Sequence, residues 1–261
     1  MIIERFFTAI GSKTIALLQS ILEVSHFTKL VIIHFFLPAS YHPAMKSVLL
    51  KQIYFTVVQI LPSFLLIGLF FGSTTVGYVI SLALHYGLRD QIGPIIVGFI
   101  FYEFAPLFTA LLIALRSGAA VNTEIAVMQV SGELNSLKAF DIGLIDYLFL
   151  PRLISGMISS VALSMLFAML MLLGGYIFSV LYMNMNLTTF SYLLFNSIEL
   201  NHILFLIAKS TAFGFVIMFI PIYNGLTTLK AFNAIPISVL NGMVRLFIAI
   251  FTIEGLTFFL R

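Results

Sequence analysis

Apolar runs long enough to cross a bilayer alternate with short polar breaks along most of the chain. A helix needs about 20 apolar residues to span the ~30 Å hydrocarbon layer. Five stretches qualify: within 52–84, about 93–115, within 153–183, about 203–223 and about 237–260. The first is longer than one crossing requires and holds Pro62 and Gly68; its excess around 72–87 predicts a tilted extension or a further helix on the outer face. Residues 1–44 differ. Ile3, Phe6, Phe7, Ile10, Leu17, Leu18 and Ile21 recur at helical spacing, with Glu4, Arg5, Lys13 and Glu23 mostly off that stripe, the pattern of an amphipathic helix lying in the membrane interface. Pro38 and Pro43 are expected to end this element and turn the chain into the bilayer. The predicted fold is all-α and membrane-integral, with an interfacial region (1–44) followed by a five-helix transmembrane domain (45–261).

The longest polar break, 116–152, carries seven of the 23 Lys, Arg, Asp and Glu residues: Arg116, Glu124, Glu133, Lys138, Asp141, Asp146 and Arg152. Asn122 can cap a helix beginning near Thr123, with Glu124 in the first turn, where a carboxylate suits the helix dipole. Ile125, Met128, Leu134 and Leu137 then alternate with Glu124, Gln129, Glu133 and Lys138, predicting short amphipathic helices broken near Ser131 and Gly132. Such a segment is too short to fold alone. It must bury its apolar side against the membrane helices, as a plain connector, or against a partner, as a docking element.

Composition agrees with lipid as the main solvent: 61% of residues are hydrophobic, 9% are charged and the mean hydropathy is +1.13, against about a quarter charged in soluble domains. With no Cys, disulfides and thiolate chemistry are excluded. The net charge of +3 speaks more for topology than for an acidic partner. Arg5, Lys13, Lys29, Lys46, Lys51, Arg116, Lys138, Arg152 and Lys230 fall on one side of the predicted spans and only Arg89 and Arg261 on the other. The positive-inside rule then places the N-terminus and 116–152 in the cytoplasm and the C-terminus outside.

Catalytic and metal signatures are missing. The sequence holds no GxxxxGK[ST] loop, HExxH or GxSxG, so this chain does not itself bind ATP through a P-loop. His26, His34 and His42 are eight apart, which turns each about 80° from the last on a helix and gathers no metal. Without a clustered His and Asp or Ser and His constellation, a membrane-embedded lipid-modifying enzyme is disfavoured, and neither a cofactor nor a nucleic-acid partner is expected.

Glu103, Phe104, Ala105 and Pro106, followed by Arg116, Ser117, Gly118 and Ala119, are similar to the Glu, apolar, Gly-Pro and Arg-x-Gly-Ser/Ala elements of a known family. On that basis residues 102–152 resemble the permease subunits of Mla-type lipid ABC transporters, the MlaE family. Thr123 to Met128, Gly132 to Leu137, and Leu150, Pro151 and Arg152 resemble later motifs, as do Lys209, Ser210, Phe213 and Gly214 in the fourth span. Weaker similarity reaches Asn224, Gly225 and Glu254. Departures are Ala105 for a glycine, Gly132-Glu133 for Glu-Gln, and no basic residue near Asn241, although Arg245 lies one turn on.

The resemblance implies a permease subunit in the bacterial inner membrane, moving phospholipid between that membrane and the periplasmic side to maintain outer-membrane lipid asymmetry. It implies a second copy of the chain, a P-loop ATPase that holds ATP and Mg, a periplasmic MCE-domain protein and a small STAS-like cytoplasmic subunit. Segment 116–152 becomes a coupling helix, with Glu124, Ile125, Met128, Glu133, Leu134 and Leu137 facing the ATPase. Four charges lie inside spans: Glu103, Lys209, Arg245 and Glu254. Each costs a few kcal/mol unless paired or hydrated, so they are candidates either for lipid-phosphate contact and gating or for internal ion pairs. Arg245 and Glu254 sit about 180° apart on one helix and are not expected to pair with each other. A competing function from another class is an ATP-independent membrane scaffold, or a proton-sensitive channel in which Glu103 titrates.

Overall fold

The structure, a computed structural model, describes Leu22, Ser25 and residues 27–37, 43–88, 91–183 and 186–259. Among these, all regular structure is helical. A short apolar helix, α1 (Phe27–Phe36), precedes five helices long and apolar enough to cross a membrane: α2 (Met45–His85), α3 (Ile92–Ser131), α5 (Ile145–Tyr182), α7 (Leu200–Leu226) and α8 (Ala234–Phe259). Two short helices fill connections, α4 (Glu133–Ala139) and α6 (Leu187–Phe195). The five predicted spans each fall within one long helix. Most of the expected interfacial helix lies outside the described residues; α1 ends at Phe36, and Pro43 opens the first turn leading into α2, the position where its missing N–H is harmless.

The stretch 72–87 continues α2 to His85, the extension of the two expected alternatives. Two differences from the sequence expectation share one cause: α3 runs on through Arg116 and Asn122 to Ser131, and α5 begins at Ile145, ahead of the expected span. At 1.5 Å per residue, the 40-residue α3 is about 60 Å long, roughly twice the hydrocarbon thickness. Hydropathy marks where a helix leaves lipid, and nothing stops the helix there. Segment 116–152 is therefore largely the projecting ends of α3 and α5. Asn122 caps nothing: it is fully buried inside α3. The break expected at Gly132 is present, with φ +82°, a left-handed value that glycine adopts without the steric cost a Cβ imposes.

Four wide π turns interrupt the long helices, at Tyr54–Val58, Phe99–Phe104, Ala114–Gly118 and Ile145–Phe149. Three sit just upstream of Pro62, Pro106 and Pro151. A proline lacks the N–H that would bond the carbonyl four residues back and its ring crowds that carbonyl, so the helix widens there.

Helix α5 is central, packing on α2, α3 and α7. Its crossing with α7 is set by Gly156 and Gly214: a Cβ at Gly214 would lie 2.5 Å from the Gly156 carbonyl oxygen and 2.7 Å from Met157 Cα. Helix α8 is peripheral, burying Gly242, Leu246 and Ile250 while exposing Leu240, Val244, Ile248, Phe251 and Leu256, an apolar surface suited to lipid or a partner protomer. Helix α1 is pinned by Phe27, whose ring lies 5.4 Å from Phe219 and 5.9 Å from Phe149.

Candidate functional site

Three of the four intramembrane charges meet. Lys209 on α7 places Nζ 3.1 Å from Glu103 Oε2 on α3 and 2.9 Å from Glu254 Oε1 on α8. Its third donor goes to the Tyr102 carbonyl oxygen at 2.6 Å. That carbonyl stands four residues before Pro106, which has no N–H to offer it. The proline thus builds the acceptor as well as the bend. The Lys209 side chain is 1% exposed, against 22% for Glu103 and 16% for Glu254. An ammonium has three N–H donors, and all three are used, so nothing remains for a lipid phosphate. Among the described residues, Glu254 Oε2 is buried without a hydrogen-bond partner. Phe205 lies below Lys209, 5.9 Å from Nζ, and the Tyr102 ring packs between Phe205 and His202.

Arg245 lies elsewhere. Its Nη1 donates to Asn224 Oδ1 at 3.2 Å, and among the described residues no carboxylate comes within ion-pair distance. Asn224 in turn donates through Nδ2 to the Ser238 carbonyl oxygen (2.5 Å) and Oγ (2.9 Å), while Thr228 Oγ1 lies 2.7 Å from Ser238 Oγ. Asn122 on α3 and Asn224 both border Gly242, where a Cβ would collide with the Asn122 amide. Among the described residues, Asn122 Oδ1 and Nδ2 have no hydrogen-bond partner.

On the face bearing 132–144, the connector face, Arg152 donates from Nη2 to Glu124 Oε1 at 2.6 Å. The arginine side chain is 3% exposed and the glutamate 53%. Ile125, Met128 and Leu134 are buried within the chain and Leu137 is half-buried; Ile125 packs against Gly225 of α7. Of the six residues expected to face an ATPase, only Glu124 and Glu133 are exposed. Within 132–144 the large apolar side chains that project are Phe140, 77% exposed, and Ile142; Val127 and Tyr147 are exposed on the flanking helices. Arg116 ties α3 to α2 through the backbone and side-chain oxygens of Gln59.

Among the described residues, five long apolar helices with an ion cluster buried between them and one charged connector form a membrane-integral bundle. Comparison with known proteins names the kind. The model of the permease MlaE family matches residues 49–260. The chain belongs to that family. An MlaE relative from Haemophilus influenzae, named an intermembrane phospholipid transport system permease protein, is 30% identical over 180 residues, 68% of each chain. A probable ABC transporter permease protein of Rickettsia typhi is 25% identical over 253 residues, 95% of this chain and 96% of the relative. Another from Synechocystis is 31% identical over 168 residues, 64% of each chain. As an MlaE-family permease this is a multi-pass membrane protein and the transport subunit of an ABC system, whose ATPase is a separate partner.

The four charges were visible in the sequence; their partners were not. The contacts of Tyr102 and Gln59, the bond between Asn224 and Arg245, and the pairing of Arg152 with Glu124 were not foreseen. Only Tyr102 had a local signal, the proline four residues on.

Proposed function

We propose that the chain moves phospholipid between the inner membrane and the periplasmic side, in service of outer-membrane lipid asymmetry, driven by a P-loop ATPase on the connector face. Two copies form the pathway, closed C2 pairing being the commonest solution for homo-oligomers, with α8 contributing to its wall. The connector face is cytoplasmic and the C-terminus periplasmic, as the distribution of basic residues favours. ATP and Mg belong to the ATPase; an MCE-domain protein on the periplasmic side and a small STAS-like subunit complete the assembly.

The observation that carries the mechanism is the continuity of α3. One continuous helix, widened by the π turn at Ala114–Gly118, joins Glu124 at the connector to Glu103 in the ion cluster. ATPase closure pushes on 132–144, and a rod in close packing passes that displacement as rigid-body motion. Contact with the ATPase falls to the exposed rim, Glu133, Phe140 and Ile142, backed by buried Ile125, Met128 and Leu134, which transmit force. The test is a Glu133→Lys, Phe140→Ser double variant, purified in mild detergent. Loss of the co-purifying ATPase with a monodisperse permease is expected. Undiminished ATPase recovery and lipid-stimulated hydrolysis remove this face from the mechanism; a wild-type permease that never co-purifies with an ATPase supports the scaffold or channel instead.

A further inference from the structure

We propose that the pocket between the C-terminal turn of α7 and the first half of α8 is a headgroup subsite for an anionic phospholipid whose headgroup substituent is uncharged, of the phosphatidylglycerol kind. This rests on phospholipid being the cargo. The pocket has a volume of about 230 Å³, and its polar lining is Asn224, Thr227, Thr228, Ser238, Asn241 and Arg245. It contrasts with a cavity of about 450 Å³ between α5 and α6, where Leu172, Tyr176, Phe190 and their neighbours leave Ser191 as the one hydroxyl on an aliphatic lining residue.

The chemistry points to phosphate. Arg245 spends one of its five N–H donors on Asn224, and no described carboxylate neutralises it. A cation within a membrane helix needs an anion or water. Asn224 orients the guanidinium without cancelling its charge, and is itself held by two bonds to Ser238. Asn224 and Thr228 are 5% and 6% exposed, so the framework is set before any ligand arrives. Ser238, Asn241 and Arg245 share one face of α8, three to four residues apart. Lys209, the other intramembrane cation, is saturated by two carboxylates and a carbonyl; it cannot compete for the phosphate.

The same lining sets selectivity. It contains no carboxylate, so the ammonium of ethanolamine or choline would face Arg245 with nothing to meet it. Hydroxyls and carboxamides instead suit a glycerol-type substituent. Specificity against the zwitterion is thus built from a repulsive element together with the attractive one.

The experiment titrates the full-length permease, purified in a neutral detergent, with short-chain phosphatidylglycerol, short-chain phosphatidylethanolamine and inorganic phosphate. Saturable phosphatidylglycerol binding is expected, at least about tenfold tighter than phosphatidylethanolamine, and weakened about ten- to a hundredfold by Arg245→Gln. Gly255→Ala, with nothing within 4 Å of the added Cβ, serves as the control. Matching melting temperatures certify that the variants are folded. Equal affinity for the two lipids, or no change in Arg245→Gln, overturns the subsite while leaving phospholipid transport standing. Inorganic phosphate binding as tightly as phosphatidylglycerol overturns the lipid assignment in favour of a free-anion site. Failure to bind either lipid overturns both this subsite and the proposed cargo.

Discussion

Replacing Lys209 with Met is expected to be among the most damaging single changes in the bundle, and the reason can be separated from simple loss of packing. The ammonium is 1% exposed and contacts two carboxylates at 3.1 and 2.9 Å. At an effective dielectric of about 20, each contact carries a gross attraction of roughly 5 kcal/mol, offset by desolvation and by repulsion between the carboxylates. Removing one member of a buried ion cluster costs about 3–5 kcal/mol, because the remaining charges stay buried without compensation. Here the Tyr102 carbonyl oxygen also loses its donor. Replacing a whole cluster by neutral groups of similar volume is, by contrast, often neutral. Lys209→Met should therefore lose about 3–5 kcal/mol in unfolding from mixed micelles followed by circular dichroism. Adding Glu103→Gln and Glu254→Gln to it should restore most of that loss. A single variant within about 1 kcal/mol of wild type, or a triple variant no better than the single, would refute charge compensation as the cluster's role, since a mere packing defect does not respond to the two carboxylates.

Two further outcomes follow from the packing. Gly214→Ala drives a Cβ into the Gly156 backbone, which cannot shift cheaply, so it should destabilise by about 1–3 kcal/mol, whereas Gly255→Ala should change the same melting curve little. Glu124→Ala leaves the buried Arg152 guanidinium, whose Nε and Nη1 already lack partners, without its carboxylate; a loss of about 3 kcal/mol is expected, largely recovered by adding Arg152→Met, and a neutral Glu124→Ala would show the pair to be incidental.

The sequence revealed the spans well because their signal is cumulative: some 20 apolar residues outweigh any single exception. Its errors cluster where a local rule met tertiary burial. Asn122 has the side chain of a helix cap, and a cap rule sees only the next few residues; the neighbours that settle its place, Gly242 and Asn224, lie over a hundred positions on. Ile125, Met128 and Leu134 show an amphipathic pattern equally suited to docking outward or inward, and only the packing of Ile125 on Gly225 decides. Periodicity separated Arg245 from Glu254, correctly, since one bonds Asn224 and the other Lys209. Periodicity within one helix says nothing, however, about a partner on another, so the convergence of α3, α7 and α8 could not be seen.

That convergence occurs twice. Helix α3 supplies Glu103 to the ion cluster and Asn122 to the polar group near Gly242; α7 supplies Lys209 and Asn224; α8 supplies Glu254 and Arg245. Along α7 the two levels are 15 residues apart, about 22 Å, so they sit toward opposite boundaries of a ~30 Å hydrocarbon layer. Helices α7 and α8 are joined by polar contacts at both depths, and α3 is tied to them by the ion cluster at one and packed against Gly242 through Asn122 at the other. The three resist both sliding and splaying, because parting the cluster strands a charge in a medium that cannot solvate it. Helices α3, α7 and α8 should consequently move together. Their contact with α5 is of another kind, an apolar glycine crossing at Gly156 and Gly214 and a single ion pair, Glu124 to Arg152, at the connector face. If the ATPase docks at the connector as proposed, displacement driven from it concentrates between α5 and the three-helix unit, with that ion pair as its pivot, and the largest opening falls toward the face farthest from the connector.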